Sequence, residues 1–369
     1  MKSDEKATSP CACGGGAVSI PSPPCRVPVN GEAGTPESNP APSPGGSPLV
    51  RTTTSEITPA NQWDHFLARW GVNRMGHIVP PGLYRLGTPT PESEVFVSAN
   101  YSLSFDALRS ALAERSAYIL VLDTKGINVW CAAGKGTFGT DELVRRIALT
   151  GLANVVSHRR LILPQLSAPG VSWPDVVRRS GFLVEYAPVR ARDLPEYLKT
   201  RKATPAMRRV DFPLRDRAVL IPVELVMAFP FTIVPALALW FLGFPLLAAD
   251  MVLAVLAGTV LLPLLLPILP TKDFSTKGFV LGFLVMLWPA YLAAGGSAPV
   301  QLASAASTLL VFPPITAYLA LNFTGSTPFT SRTGVKKEIF RYVPILAAMV
   351  VLGAVIAITT GGLHLLRVI

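Results

Sequence analysis

The chain has 369 residues, 50% of them hydrophobic, with 33 Lys and Arg against 23 Asp and Glu for a formal charge of +10. Four cysteines, three of them in one Pro-rich stretch, exclude a disulfide framework and fit a reducing compartment. Many basic residues flank apolar runs and none forms an aromatic-interleaved patch, which argues against nucleic acid and for topology signals at a membrane.

In chain order, residues 1–60 hold PSPPCRVPV and GTPESNPAPSPGGSP and few large apolar side chains. Such a segment cannot bury enough apolar surface to offset chain entropy, so a disordered N-terminal tail is predicted. Cys11, Cys13 and Cys25 fall short of the four thiolates of an iron–sulfur cluster, and a lone C-x-C in a tail is more often incidental than metal-binding. The opening MKSDEKATSP has no apolar core, so no export signal is expected.

Residues 61–215 read as a soluble α/β domain. EVFVSAN (94–100) is a short strand, and Ser104 is placed to cap a helix through about Arg115. AYILVLD (117–123) is a continuous apolar run, as in a strand buried on both faces. Thr140 is placed to cap a helix with Asp141 and Glu142 in its first turn. LILPQL (161–166) is the next strand, Ser172 to Gly181 a short helix, FLVEYAPV (182–189) a strand, and DLPEYLK the start of another helix. Strands alternating with helices predict a parallel sheet covered on both faces, with ligands beyond the carboxyl ends of its strands.

Residues 216–369 give five apolar runs, 218–242, 246–269, 278–296, 299–321 and 339–360, each close to the roughly 20 residues that cross a bilayer. Arg208, Arg209, Arg215, Arg217, Lys272, Lys277, Arg332, Lys336, Lys337 and Arg341 lie on one side, against Arg367 on the other. The expectation is a multi-pass protein of the cytoplasmic membrane, with the N-terminus and soluble domain inside and the C-terminus outside. Glu224 and Asp250, the sparse charges in the runs, lie near their ends, which weakens an ion-transport reading.

The chemistry-bearing run is Asn128-Val129-Trp130-Cys131-Ala132-Ala133-Gly134-Lys135, placed where a strand gives way to a Gly-rich turn. Cys131 taken alone reads equally well as a packed core cysteine. G-K-G-T (134–137) echoes a phosphate loop, but Val129 stands where that pattern needs its first glycine.

The run resembles, at all eight positions, the signature of the corrinoid protein family of microbial mercury methylation (the HgcA family), related to the large subunit of the corrinoid iron–sulfur protein. LPQLSAPGV (163–171) and NFTGSTPFTS (322–331) are also similar to that family, and the likeness covers roughly residues 61–369. It implies a Rossmann-like corrinoid-binding α/β domain (61–215) joined to an all-α transmembrane domain of five helices (216–369). It further implies a cobalamin-type cofactor whose cobalt takes Cys131 as lower axial ligand. Asn128, Val129, Trp130, Ala132, Ala133, Gly134 and Lys135 then form the segment beneath the corrin ring. The small residues suit close approach of a flat macrocycle, Trp130 its edge, and Lys135 an amide or phosphate. Thr124, Lys125 and Gln165 are expected to contact the cofactor, with Pro164, Ala168 and Gly170 near its tail. His65, His77, His158 and His364 have no metal-ligand spacing and are expected in surface or structural roles.

The activity implied is transfer of a methyl group from methyl-cobalt to Hg(II), forming methylmercury, with thiolate donation favouring carbanion-like transfer. The implied partners are a ferredoxin-like 4Fe–4S electron donor of the HgcB type, a methyl-folate methyl donor system and membrane lipid, with no nucleic acid. Two other readings stand beside it: a corrinoid methyl carrier of acetyl-CoA-pathway type, and a membrane-anchored corrinoid-binding sensor. Five spans exceed what anchoring needs, leaving mercury uptake, methylmercury export and a homodimer scaffold open.

Overall fold

The computed structural model describes residues 50–293, 297–324 and 332–365. The tail prediction for residues 1–49, Cys11, Cys13 and Cys25 with it, lies outside them, as do residues 325–331 of the NFTGSTPFTS run.

A six-stranded sheet forms from β1 (Val50–Thr53), β2 (Gly82–Leu86), β3 (Val95–Ala99), β4 (Ala117–Leu122), β5 (Arg160–Leu163) and β6 (Leu183–Tyr186), in the order β1-β2-β4-β3-β5-β6. Its helices are α1 (Pro59–Arg69), α2 (Ser102–Ala111), α3 (Val129–Lys135), α4 (Thr140–Leu149), α5 (Trp173–Ser180) and α6 (Leu194–Thr200), with shorter turns between. Every residue of β3 and β4 is buried, as their unbroken apolar runs require. Alternate residues serve two cores. Val95, Val97, Leu120 and Leu163 meet Ala132, Leu143, Ile147 and Val176 on one face. Phe96, Ile119, Val121 and Ile162 meet Phe105, Leu108, Leu194 and Tyr197 on the other.

Several sequence expectations are corrected. The sheet is mixed, because β2 runs antiparallel to β4. Residues 87–94 are too few for the helix-bearing crossover that parallel strands need, so β2 enters in the opposite sense. The presumed tail ends before residue 50. Val50–Thr53 pairs parallel with β2, and Thr58 caps α1 in a reciprocal box with Asn61. Nothing in VRTT alternates strongly enough to announce an edge strand. Its anchor is remote: buried Arg109 donates to the carbonyls of Thr54 (2.6 Å) and Glu56 (2.5 Å). The second helix starts at Ser102, before the expected Ser104 cap, and Gly139 rather than Thr140 caps α4. Strand β5 stops at Leu163, since Pro164 cannot continue the ladder, and Gln165–Ser167 is a 3-10 turn.

Among the described residues, five helices are long and apolar enough to cross a membrane: Leu214–Phe241, Pro245–Leu265, Phe274–Leu292, Ala298–Phe323 and Thr333–Leu363. Close packing of the third span on the fourth follows from Gly278-x-x-x-Gly282. A Cβ at Gly282 would come within 2.9 Å of Pro313 Cα, and one at Gly278 within 2.8 Å of Ala317 Cα. Arg217 ties the start of the first span to the second, donating to the carbonyls of Pro263 (2.8 Å) and Leu264 (2.7 Å).

Candidate functional site

The site grows from a gap at the carboxyl edge of the sheet. β3 pairs with β5 at one register only, Phe96 with Ile162. The connections leaving β3 and β5 run to opposite faces, α2 packing in one core and α5 in the other. That divergence is where doubly wound sheets bind ligands. A cavity of about 230 Å³ occupies it, lined by Val97, Ser98, Val129, Trp130, Pro164 and Leu166 among others.

Val129–Lys135 is a two-turn helix, not a glycine-rich turn. The Asn128 side chain accepts from the Cys131 amide at 2.9 Å and caps it, and Gly136, at φ 86°, ends it in the left-handed conformation. Ala132 and Ala133 are buried on the sheet, while Asn128, Gly134 and Lys135 are exposed and Trp130 and Cys131 are half-exposed. Cys131 and Gly134, three residues apart, therefore share the outer side of α3. A Cβ at Gly134 would meet no neighbouring atom within 4 Å, so the outer side of α3 is uncovered at that position. Cys131 is the one free cysteine among the described residues, and no cluster of three or more His, Cys, Asp or Glu there could hold a metal by itself. The donor set is thus a single soft sulfur, which suits a metal that arrives with its remaining ligands supplied by a macrocycle.

The other expected contacts divide. Val129, Trp130 and Pro164 line the cavity. Thr124 is fully buried, its hydroxyl lying between Asn100 Oδ1 (2.8 Å) and the Ile127 carbonyl (2.7 Å), so it holds the loop. Lys125, at φ 58°, turns back to Asp123 with its Nζ 2.6 Å from Oδ2. Burial pushes the Asp123 carboxyl up, but the hydrogen bonds and charge of Lys125 outweigh this and hold it below the usual carboxylate range. Gln165 exchanges hydrogen bonds with Arg208, accepting at 2.8 Å and donating at 3.2 Å to its carbonyl. Gly170 packs on the backbone of α3, so it positions Cys131. His77 is structural as expected, buried between Asp64 Oδ1 (2.6 Å) and the Val72 carbonyl (2.7 Å).

Sequence reading missed Asn100. Its buried Oδ1 accepts from the Thr124 and Gly126 amides, each at 3.0 Å, and sets the turn that launches α3. The one local signal was an Asn directly after a strand, a residue type that binds turn backbone. Glu142 was read only as a first-turn acid, yet it accepts from the Asp123 amide at 2.9 Å and pairs with Arg146 at 2.5 Å.

Residues 73–172, which include α3, match the family model described as CO dehydrogenase/acetyl-CoA synthase delta subunit. The chain is also similar to proteins named acetyl-CoA decarbonylase/synthase complex subunit gamma. That of Methanopyrus kandleri is 32% identical over 123 residues, 33% of this chain and 26% of that protein. That of Methanocaldococcus jannaschii is 35% identical over 97 residues, 26% of this chain and 20% of that one. That of Archaeoglobus fulgidus is 32% identical over 92 residues, 24% and 20% respectively. The chain therefore spans about a fifth to a quarter of the length of these curated relatives.

Proposed function

We propose that this chain is a membrane-anchored corrinoid protein of methyl transfer, in which Cys131 would be the residue that holds the cofactor's cobalt. The observation that carries the reading is the half-exposed Cys131 on a capped helix beside the open face at Gly134. A bound corrinoid would supply a cobalt centre able to accept and release a methyl group. The chain's own residues have simpler tasks. Asn128 fixes the helix turn that carries the sulfur, Ala132 and Ala133 anchor that turn in the core, and Lys135 offers an exposed cation to the cofactor's polar periphery. Trp130 and Val129 offer an apolar wall on the cavity side.

The similarity to acetyl-CoA decarbonylase/synthase subunits supports the corrinoid reading and, taken alone, favours its carrier form, in which the methyl group passes to a partner protein. Hg(II) as acceptor is what the resemblance to the mercury-methylation family implies, and that resemblance rests on the uninterrupted NVWCAAGK run and the five apolar helices after the matched region. In that form a ferredoxin-like protein of the HgcB type would supply electrons and a methyl-folate system the methyl group. The soluble domain would face the cytoplasm, with membrane lipid around the five spans and the membrane domain as the scaffold of a homodimer.

The test is the ultraviolet–visible spectrum of the full chain reconstituted with a corrinoid, for wild type and Cys131→Ala. A base-off, sulfur-ligated spectrum lost in the variant is the expected result, and identical spectra would remove the assignment. Loading the wild type with methyl-corrinoid and adding Hg(II) then separates the two acceptors. Methylmercury release supports the Hg(II) form, and a methyl group that stays on the protein supports the carrier form.

A further inference from the structure

Helix α1 is amphipathic in the inverted sense. Its polar stripe, Asn61, Asp64 and His65, faces the protein, where Arg109 Nη2 donates to Asn61 Oδ1 at 3.0 Å. Asp64 accepts from Ser102 Oγ at 2.6 Å and pairs with His77, and His65 Nε2 lies 2.8 Å from buried Asp106. Its aromatic stripe, Trp63, Phe66 and Trp70, spaced three and four residues apart, faces out at 62%, 47% and 38% exposure. Trp63 stacks on Phe66 at 5.3 Å and Phe66 meets Trp70 at 5.8 Å, so the three rings form one surface. The chain that follows extends it with exposed Val72, Met75 and Ile78. No residue of α1 is buried. A helix that satisfies its polar groups inside and leaves its large rings outside is built to meet an apolar or interfacial medium.

The occupant is indicated by what the surface adjoins. A Cβ at Gly71 would lie 3.1 Å from Val223, and Arg74 Nη1 reaches Met227 Sδ at 3.3 Å, both in the N-terminal half of the first span. The loop that follows the aromatic surface thus packs against the N-terminal half of a helix apolar enough to cross a bilayer. Arg69 and Arg74 are exposed at its edge, as cations beside anionic headgroups would be. Trp at headgroup depth with basic residues beside it is the pattern of in-plane membrane helices.

We infer that α1 and the Val72–Ile78 loop lie in the headgroup–acyl boundary of the bilayer that holds the five spans. The partner is lipid, and the soluble domain is thereby fixed at two places, the linker to the first span and this aromatic face. The inference reaches the candidate site. A Cβ at Gly126 would lie 2.8 Å from Ile78 and 3.3 Å from the Met75 carbonyl, so the loop at the boundary touches the turn that launches α3. The edge of the sheet that carries Cys131 then sits close to the membrane surface.

The test uses the full chain in nanodiscs of phosphatidylcholine brominated near the headgroup end of its acyl chains. Emission of wild type minus that of Trp63→Phe, and likewise of Trp70→Phe, isolates each ring, and phenylalanine preserves the apolar surface that folding requires. The expected result is that both difference signals are blue-shifted and lost in brominated discs while surviving in ordinary ones. Signals unaffected by bromine and quenched by aqueous acrylamide would overturn the inference, as would signals shielded from both quenchers, which would assign the face to a second copy or a protein partner.

Discussion

Replacing Gly170 by alanine is expected to loosen α3 without touching any residue that faces the cofactor space. The new Cβ would lie against the Phe138 carbonyl, 2.9 Å from Ala133 Cα and 3.0 Å from the Ala133 carbonyl. Relaxed carbon contacts start near ~3.5 Å, so α3 must retreat by roughly half an ångström. All three obstacles are backbone, so no change of rotamer relieves them. Overpacking of this kind costs about 1–3 kcal/mol. Falling on local opening of a two-turn helix, that raises the open population by about 5- to 150-fold. Amide hydrogen exchange of the peptide spanning 128–138 should accelerate by that factor, since the Ala132 amide is closed on the Asn128 carbonyl at 2.9 Å. Gly181→Ala is the control. It has open space and φ +74°, so its cost of about 1 kcal/mol is conformational and leaves that peptide unchanged. Unchanged exchange at 128–138 in Gly170→Ala would refute the claim that this contact positions Cys131.

Asn128→Ala removes the cap on the Cys131 amide and should cost about 1 kcal/mol, weakening corrinoid binding roughly fivefold in a spectral titration, with Asn128→Ser recovering most of it. Arg109→Ala leaves Asp106 buried beside His65 and frees the Thr54 and Glu56 carbonyls; a loss of about 3–5 kcal/mol in denaturant unfolding, with early proteolysis near residue 55, is expected. The His77–Asp64 pair gives a pH signature. Burial lowers the His77 pKa, but the hydrogen bond from its ring to Asp64 and its bond to Val72 outweigh this and raise it above the ordinary 6.5. Its stabilisation is complete below 6.5 and fades as pH climbs through the raised value. Burial pushes Asp64 up, but Ser102 and His77 hold it below 3.8, so its contribution is complete above 3.8 and fades in acid. Thermal melting of wild type relative to His77→Gln should therefore show its largest advantage between those two values and a shrinking one in alkali. Gly282→Val should separate the third and fourth spans, read as loss of the monodisperse full chain in detergent.

What the sequence displayed was periodicity and local chemistry. The apolar runs at 94–100 and 117–123 became the buried strands β3 and β4, and the five long apolar runs became five helices. The eight-residue run announced Cys131, but Asn128 as a cap and the helix it starts were concealed by glycines at its far end, which close the helix instead of opening a turn. Long-range geometry was invisible. Asn100 and Thr124 stand 24 residues apart and Arg109 and Thr54 55 apart, and neither pairing has any local pattern to reveal it. For the same reason β1 is indistinguishable from tail in the sequence. Four half-polar residues become a strand only because β2 offers an edge and Arg109 clasps the carbonyls that follow.

The narrow join between β3 and β5 has a mechanical meaning. β3 matches β4 over five residue pairs and β5 matches β6 over four, but β3 and β5 share one. The sheet is thus two stiff leaves on a compliant seam. Pro164 and Gln165 ride on the β5–β6 leaf, and Gln165 grips Arg208, whose guanidinium also holds the Tyr186 carbonyl at 2.9 Å. Arg190, which follows β6, pairs with Asp216 in the first turn of the first span. Tilting of that span would be geared through this chain of contacts to the leaf, and the gap beside α3 would widen or narrow with it.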